Sequence, residues 1–380
     1  MAINGCATIE GTSRYKDRFK DDAAPGHFRL EQKKWLSSIG IGTYLGGYDA
    51  DTDSRYADAV ARTVELGCNV IDTAANYRFQ RSERAIGRAL KISIEERGFA
   101  RDELVICTKG GYLPFDSEPP ADVRSYVEEK FIRPGIALAS DIVGKSHCMT
   151  PAYLQSQIDQ SLANLNLDCI DVYYVHNPES QLAAVSRDEF ETRLRAAFER
   201  LEENIAAGKI RHYGVATWNG FRVAEGAEGY HGLEAMTDIA RQVGGEGHGF
   251  AFIQVPVNLA MPEALLLTNQ TCMDQKMSVI DAAKALGVTI VASASLLQGR
   301  VARGIPEHIR EALGALATDA QTGIQFVRSM PGVTTALVGM SHVEHVDENL
   351  QLVRVAPAPM EEFQRVFESE DTVEDSEDVE

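Results

Sequence analysis

Short apolar runs alternate along this chain with longer stretches whose apolar positions recur at helical spacing. The β-type runs are Ser38–Tyr44, Asn69–Asp72, Glu103–Lys109, Cys169–His176, His212–Thr217, Phe250–Pro256, Val288–Ser293 and Thr334–Gly339. Helix-patterned stretches lie near 54–66, 81–97, 151–165, 187–207, 232–243, 275–286, 318–329 and 343–352. Two of them end on an explicit stop signal, Gly208-Lys209 and Gly287, where glycine takes the left-handed cap. Eight β runs in strict alternation with helices predict an α/β fold, a (β/α)8 TIM barrel with a parallel eight-stranded core, rather than an open sheet. Its crossovers are expected to be right-handed.

This pattern divides the chain into an N-terminal extension (1–35), a barrel (36–355) and an acidic C-terminal tail (356–380). About forty residues separate Lys109 from the helix start at Thr150-Pro151, whereas most βα loops have ~2–6. The insertion at about 111–149, a long loop after strand 3, falls on the face where barrels of this kind carry their chemistry. It is read as a substrate-covering lid or pocket wall. Trp35 is expected under the barrel floor and Trp218 beside the pocket at the other end.

Four polar residues close or follow predicted strands: Asp72, Tyr77, Lys109 and His176. Singly, each has a plain explanation as a turn residue, a solvated lysine or wall packing. Together they form a set for moving a proton. Hydride addition to a carbonyl carbon develops negative charge on oxygen, which must be protonated as it forms. A phenol has an ordinary pKa of ~10, and a neighbouring ammonium favours the phenolate. Lys109 is placed to supply that charge, Asp72 to hold Lys109, and His176 to orient or polarise the carbonyl.

Composition narrows the partners. The formal net charge is −19, and residues 361–380 alone hold ten acidic residues against one arginine. That balance argues against nucleic acid and anionic membranes, and it makes the tail read as a disordered solubilising segment. No apolar run approaches the ~18–20 residues that span a bilayer, and the start of the chain lacks a signal-peptide pattern. The six cysteines are scattered with no CxxC pair, as expected of buried thiols in a cytoplasmic protein. His147-Cys148 has no further ligand at short spacing, so no metal is expected. Gly244-Gly245-Glu246-Gly247 joins no strand to a helix in the dinucleotide pattern.

In combination, these motifs resemble the aldo-keto reductase family over roughly residues 36–352. The carriers are Gly40-Ile41-Gly42-Thr43-Tyr44; Asn69 to Ala74 with Tyr77; Ser82-Glu83 with Ile86-Gly87; Asp171-Val172-Tyr173 with His176; and Gly208-Lys209-Ile210-Arg211 before Gly214-Val215. The resemblance implies a (β/α)8 barrel, an NAD(P)(H) cofactor bound before substrate, and catalytic roles for Asp72, Tyr77, Lys109 and His176. It also implies a cofactor site: Gly42, Thr43, Tyr44 and Asp72 near the nicotinamide; Thr217, Gln254 and Ser293 around its ring and carboxamide; Leu296, Gln298, Gly299 and Arg300 along the pyrophosphate; and Gly339, Ser341, His342, His345, Glu348 and Asn349 at the adenosine end. A helix N-terminus at that last stretch suits a phosphate.

Three positions depart from the family pattern. Ala216-Thr217 stand where Ser-Asn is common, Ser293 stands where a tyrosine usually stacks on the nicotinamide, and the stretch Met340–His345 lacks the lysine or arginine of many NADP(H)-using members. NADP(H) is favoured on the resemblance, with NAD(H) as the alternative.

The resulting expectation is an oxidoreductase that interconverts an aldehyde, ketone or sugar carbonyl and its alcohol, with Tyr77 as general acid/base. The competing reading is a nicotinamide-binding regulatory subunit that senses redox state with little turnover. A metal-dependent barrel enzyme is disfavoured, because too few carboxylates and histidines gather at strand ends. The sequence leaves the natural substrate and the oligomeric state open.

Overall fold

The computed structural model describes residues 2–368. Eight parallel strands close into a barrel: β1 (Ile39–Gly42), β2 (Val70–Asp72), β3 (Val105–Gly110), β4 (Ile170–His176), β5 (Ile210–Ala216), β6 (Phe250–Pro256), β7 (Thr289–Ser293) and β8 (Val333–Gly339), with β8 paired back to β1. The outer layer is α1 (Ala50–Glu65), α2 (Arg81–Lys91), α3 (Pro151–Leu165), α4 (Arg187–Ala206), α5 (Leu233–Gly244), α6 (Val279–Leu286), α7 (Asp319–Ser329) and α8 (Val343–Asn349). Every predicted strand and helix has its counterpart, with ends displaced by a few residues. Gly208 and Gly287 adopt the left-handed conformation expected of them, at φ +76° and +69°.

Strand pleating explains why buried apolar runs end on polar residues. Side chains two apart share a face, so Val105, Cys107 and Lys109 align, as do Val172, Tyr174 and His176, Val70 and Asp72, and Phe252 and Gln254. The apolar members of these rows join Ala216, Val291 and Leu337 in a packed column inside the barrel. Their polar members stand above it at the C-terminal rim. The alternate residues, among them Ile71, Ile106, Val175 and Val255, belong to the core between strands and helices.

The first thirty-five residues form more structure than their polarity suggests. A helix runs over Ile9–Arg18, capped by Thr8, whose hydroxyl accepts the Gly11 amide at 2.9 Å. A hairpin follows, pairing Phe28–Glu31 with Lys34–Ser37. Leu36, rather than Trp35, plugs the barrel floor: it is buried in the interior column, while Trp35 is half-buried with the Lys16 ammonium 3.8 Å over its ring. Asp171 ties this floor together, accepting from the amides of Ala7 (2.6 Å) and Ile106 (2.8 Å) and from Arg101 (2.7 Å).

Two other segments differ from expectation. Residues 275–277 are a strand, paired with Gln270–Cys272, so α6 starts only at Val279, where Ser278 accepts the Asp281 amide at 3.1 Å. The beginning of the acidic tail is helical over Met360–Arg365, and Phe363 is buried with its ring stacked on Phe326 at 5.4 Å. Tail residues 369–380 lie outside the described residues. No helix among the described residues is long and apolar enough to cross a membrane.

His27 is buried beneath the barrel, bonding the Ser38 hydroxyl (3.1 Å) and the Gly67 carbonyl (2.8 Å). Burial, with Arg328 nearby, lowers its pKa to about 3, and burial lowers that of His212 to about 4. Both are free to take up a proton once the chain unfolds, near pH ~6.5. The unfolded state therefore binds more protons below that pH, and stability is lost as pH falls from about 6.5 towards about 4 and 3. Melting temperatures at pH 7 and pH 5 should show this fall, and His27→Gln should make it shallower. An unchanged pH slope in the variant would remove His27 from the account.

Candidate active site

Strand register brings the polar rim residues together. Asp72 pairs across from Gly42, and His176, Ala216 and Gln254 follow one another across β4, β5 and β6. The Lys109 ammonium is buried at the centre, donating to Asp72 Oδ1 at 2.5 Å and to the Thr73 carbonyl at 2.7 Å. Gln254 Nε2 donates to the other Asp72 oxygen at 2.8 Å. Burial pulls the ammonium down, but the Asp72 carboxylate and Tyr77 more than offset this, so Lys109 stays charged. Burial pushes the Asp72 carboxyl up, opposed by the bonds from Lys109 and Gln254.

Tyr77 follows β2 on a loop whose amides stay bonded to β3: Thr73 N to the Cys107 carbonyl and Ala75 N to the Lys109 carbonyl, both at 3.0 Å. The Lys109 ammonium lies 4.9 Å from the centroid of the Tyr77 ring. Tyr44 packs against it at 5.0 Å and His176 at 5.9 Å, both edge-on. Burial raises the phenol above its usual range by more than Lys109 lowers it. The net direction is thus opposite to that expected from the ammonium alone, and the phenol holds its proton through neutral pH. Burial, Lys109 and His147 all depress the His176 imidazole, which is neutral and has a buried Nδ1 without a hydrogen-bond partner.

The family model described as "Aldo/keto reductase family" matches residues 38–371. The chain belongs to the aldo/keto reductase family. Among curated relatives, the Schizosaccharomyces pombe aldo-keto reductase yakc [NADP(+)] is 27% identical over 44% of this chain and 38% of its own length. An NADH-specific methylglyoxal reductase of Escherichia coli is 27% identical over 50% of this chain and 51% of its own length. The chain thus spans about half or less of these relatives. An Escherichia coli O157:H7 L-glyceraldehyde 3-phosphate reductase is 22% identical over 87% of both chains. Among solved structures, a Klebsiella pneumoniae aldo/keto reductase in complex with NADP and acetate superposes with TM-score 0.59 at 21% identity, covering 90% of this chain and 94% of that one. The holo form of a Bacillus halodurans aldo-keto reductase gives 0.61 at 20%, covering 89% and 94%.

Around the barrel rim, the other residues named from the sequence divide into engaged and free. Ser82 donates to the Thr43 carbonyl at 2.7 Å, while Glu83 is buried and accepts from Thr108 (2.7 Å) and Asn164 (2.8 Å), so this pair holds the scaffold. Glu348 accepts from Thr318 at 2.9 Å. The Thr217 hydroxyl and the Asn349 side-chain oxygen are buried without partners, as is the hydroxyl of Ser295, which the sequence did not single out. Ala294, Leu297 and Gln298 take left-handed φ values of 53°, 44° and 56°, bending the loop after β7 sharply through Leu296 to Arg300. Tyr44, Gln298, Gly299, Arg300, Gly339, His342 and His345 are exposed, and Gly42, Ser293, Leu296 and Ser341 are partly so. Such residues, with unpartnered polar groups among them, fit a large polar cofactor laid across the rim.

Several positioning residues gave no sequence signal. After Tyr77, Arg78, Phe79 and Gln80 are all left-handed (φ 49°, 57° and 69°), a rare run for side-chain-bearing residues. Arg78 holds this turn, bonding Asp53 at 2.5 Å and the Gly47 carbonyl at 2.6 Å, and Arg81 reaches the second Asp53 oxygen at 2.6 Å. On the other side, Gln181 donates to His147 Nδ1 at 2.8 Å, which leaves His147 Nε2 to donate to the His176 carbonyl at 2.8 Å. Tyr112 lies edge-on to both histidines, each at 5.1 Å. Gly111 is required beside them: its φ is +149°, and a Cβ there would lie 2.8 Å from the His176 carbonyl and 2.9 Å from His147. Glu179 accepts the amides of Trp218 (2.7 Å) and Asn219 (3.1 Å), fixing the loop after β5. No group of three metal-ligating side chains occurs among the described residues.

Asp53→Ala strands the Arg78 guanidinium, whose side chain is only 2% exposed, without its counter-charge. Breaking a buried pair in this way costs about 3–5 kcal/mol. Urea titration should show a loss of that order. A loss below about 1 kcal/mol, the size typical of a surface pair, would place the clamp's strength elsewhere.

Proposed function

We propose that the chain is an NAD(P)(H)-dependent oxidoreductase that interconverts a small aldehyde, ketone or sugar carbonyl and the corresponding alcohol. The observation that carries this reading is the buried Asp72–Lys109 pair beneath the Tyr77 ring, with a neutral His176 beside it. A nicotinamide cofactor, when bound, supplies the hydride for reduction and accepts it in the reverse direction. Thr217, Gln254 and Ser293 would hold the nicotinamide end, the loop Leu296–Arg300 the pyrophosphate, and Ser341, His342, His345 and Asn349 the adenosine end.

The phenol of Tyr77 donates its proton to the oxygen of the reduced carbonyl. Lys109 stabilises the phenolate that remains, and Asp72 keeps Lys109 charged and aimed. His176, uncharged and braced through its backbone by His147, orients the carbonyl oxygen. The loop at 111–149 forms one wall of the substrate site: it packs on its own cluster of Leu113, Phe131 and Ala137 and leans on the turn after Tyr77 through Phe79 and Phe115, 5.9 Å apart. NADP(H) is the favoured form. Arg300 and Arg303 are exposed and have no ion-pair partner among the described residues, whereas Glu348 is already bonded to Thr318 and is a poor candidate for a ribose hydroxyl. Methylglyoxal and glyceraldehyde 3-phosphate, named for two of the relatives, define the first carbonyls to screen.

Tyr77→Phe removes the proton donor and keeps the ring. Reduction should slow by at least about 100-fold. Cofactor affinity, followed by nicotinamide fluorescence, should be nearly unchanged. Normal turnover in this variant would end the assignment. Tight cofactor binding by the wild type with no turnover across a carbonyl panel would instead favour a redox-sensing subunit.

The pH dependence follows from the raised Tyr77 phenol. The acid needed for reduction is present at every pH below that value, so reduction should stay level across neutral pH and fall only in alkali. Alcohol oxidation needs the phenolate and should rise towards alkaline pH. A reduction rate that drops between pH 6 and pH 8 would identify a different proton donor.

A further inference from the structure

The first residues of the chain run alongside the loop that leads into β4. The Ile3 amide donates to the Asn166 carbonyl (2.8 Å) and the Asp168 amide to the Ile3 carbonyl (3.2 Å). The Gly5 amide then bonds the Asp168 carboxylate at 2.8 Å, and the Ala7 amide bonds that of Asp171 at 2.6 Å. Residues on both sides of Cys6 are thus pinned to residues on both sides of Cys169. Both thiols lie between these pinned residues and are nearly buried, with 7% and 3% of their surfaces exposed; the Cys169 Sγ also faces the Ile170 carbonyl at 3.7 Å. The Arg211 guanidinium donates to Cys6 Sγ at 2.8 Å. Asp171 and Lys34 complete the charged surroundings, with the neutral His212 imidazole 3.0 Å from the Lys34 ammonium.

This environment treats the two sulfurs differently. The neighbouring Cys169 thiol lowers the Cys6 thiol to about 6, with burial opposing and Arg211 adding to the effect. The Cys169 thiol is raised. The Arg211 guanidinium on Cys6 Sγ favours the thiolate, the reactive form of cysteine, at Cys6 rather than at Cys169.

We propose that Cys6 and Cys169 form a reversible peroxide-responsive dithiol on the barrel floor, away from the rim site. The Cys6 thiolate attacks one oxygen of hydrogen peroxide. The O–O bond breaks, hydroxide leaves and takes up a proton as water, and Cys6 becomes a sulfenic acid. The Cys169 sulfur then attacks the Cys6 sulfur, the S–O bond breaks, and the departing hydroxide leaves as water with the Cys169 proton. The two thiols lose two electrons and the peroxide gains them. The disulfide fastens residues 2–7 to the start of β4.

The test uses the full-length protein, treated with a small excess of hydrogen peroxide at pH 7 and then alkylated with N-ethylmaleimide in denaturant. The expected result is a fall from six free thiols to four, with a peptide joining Cys6 to Cys169 that dithiothreitol separates. Arg211→Met should slow the oxidation of Cys6 roughly tenfold by removing the charge that favours the thiolate. Cys169→Ser should leave a Cys6 sulfenic acid that dimedone traps. Six titratable thiols after treatment of the folded wild-type protein, or oxidised cysteine without that linked peptide, would overturn the proposal whatever the variants do.

Discussion

An ammonium group enclosed by protein needs a counter-charge and acceptors in place, and Lys109 sets that requirement at the barrel rim. Asp72 on the neighbouring strand answers it, the Thr73 carbonyl accepts a second N–H, and Gln254 fixes the far oxygen of the carboxylate. The arrangement depends on strand register. A slip of one residue in β3 would turn Lys109 outward into the apolar layer under the helices and bring Thr108 inward. The same pleat that fills the interior with Val105, Cys107, Val172 and Tyr174 therefore places Lys109 and His176 above them.

Around that centre, loops of unrelated sequence are held by polar side chains that never reach the reacting atoms. The left-handed turn after Tyr77 is fastened to α1 through Asp53, and the long loop after β3 returns to brace His176 through His147. Such strained or irregular backbone persists only where its surroundings over-determine it. Both braces come from residues distant in sequence from those they hold.

Much of the fold was legible because the apolar periodicity is strong and the βα alternation is strict. What escaped was local. The two hairpins turn on Gln32-Lys33 and Met273-Asp274, all left-handed, without the Asn-Gly or Asp-Gly pair that usually marks such turns. The hairpin at Met273-Asp274 consequently merged with the helix pattern that follows it. The helix at Met360–Arg365 was hidden by the acidic composition around it, although Phe363 and Phe367 carry an apolar face. The four rim residues were visible because each closes or follows a strand. Arg78, Gln181 and Glu179 were not, since a supporting residue is defined by its partner in space and has no spacing to read. The direction of the Tyr77 shift was also beyond sequence, because it depends on how deeply the ring is enclosed.

The apolar column from Leu36 up to the level of Ala216 has a consequence of its own. It fills the space between floor and rim with packed side chains, so that the groups at the two mouths make no direct contact. The two mouths of the barrel are in effect separate surfaces of one rigid body. The floor, with its hairpin and its buried ion pairs, is free to diverge, carry a label or acquire a chemistry of its own while the rim keeps its geometry.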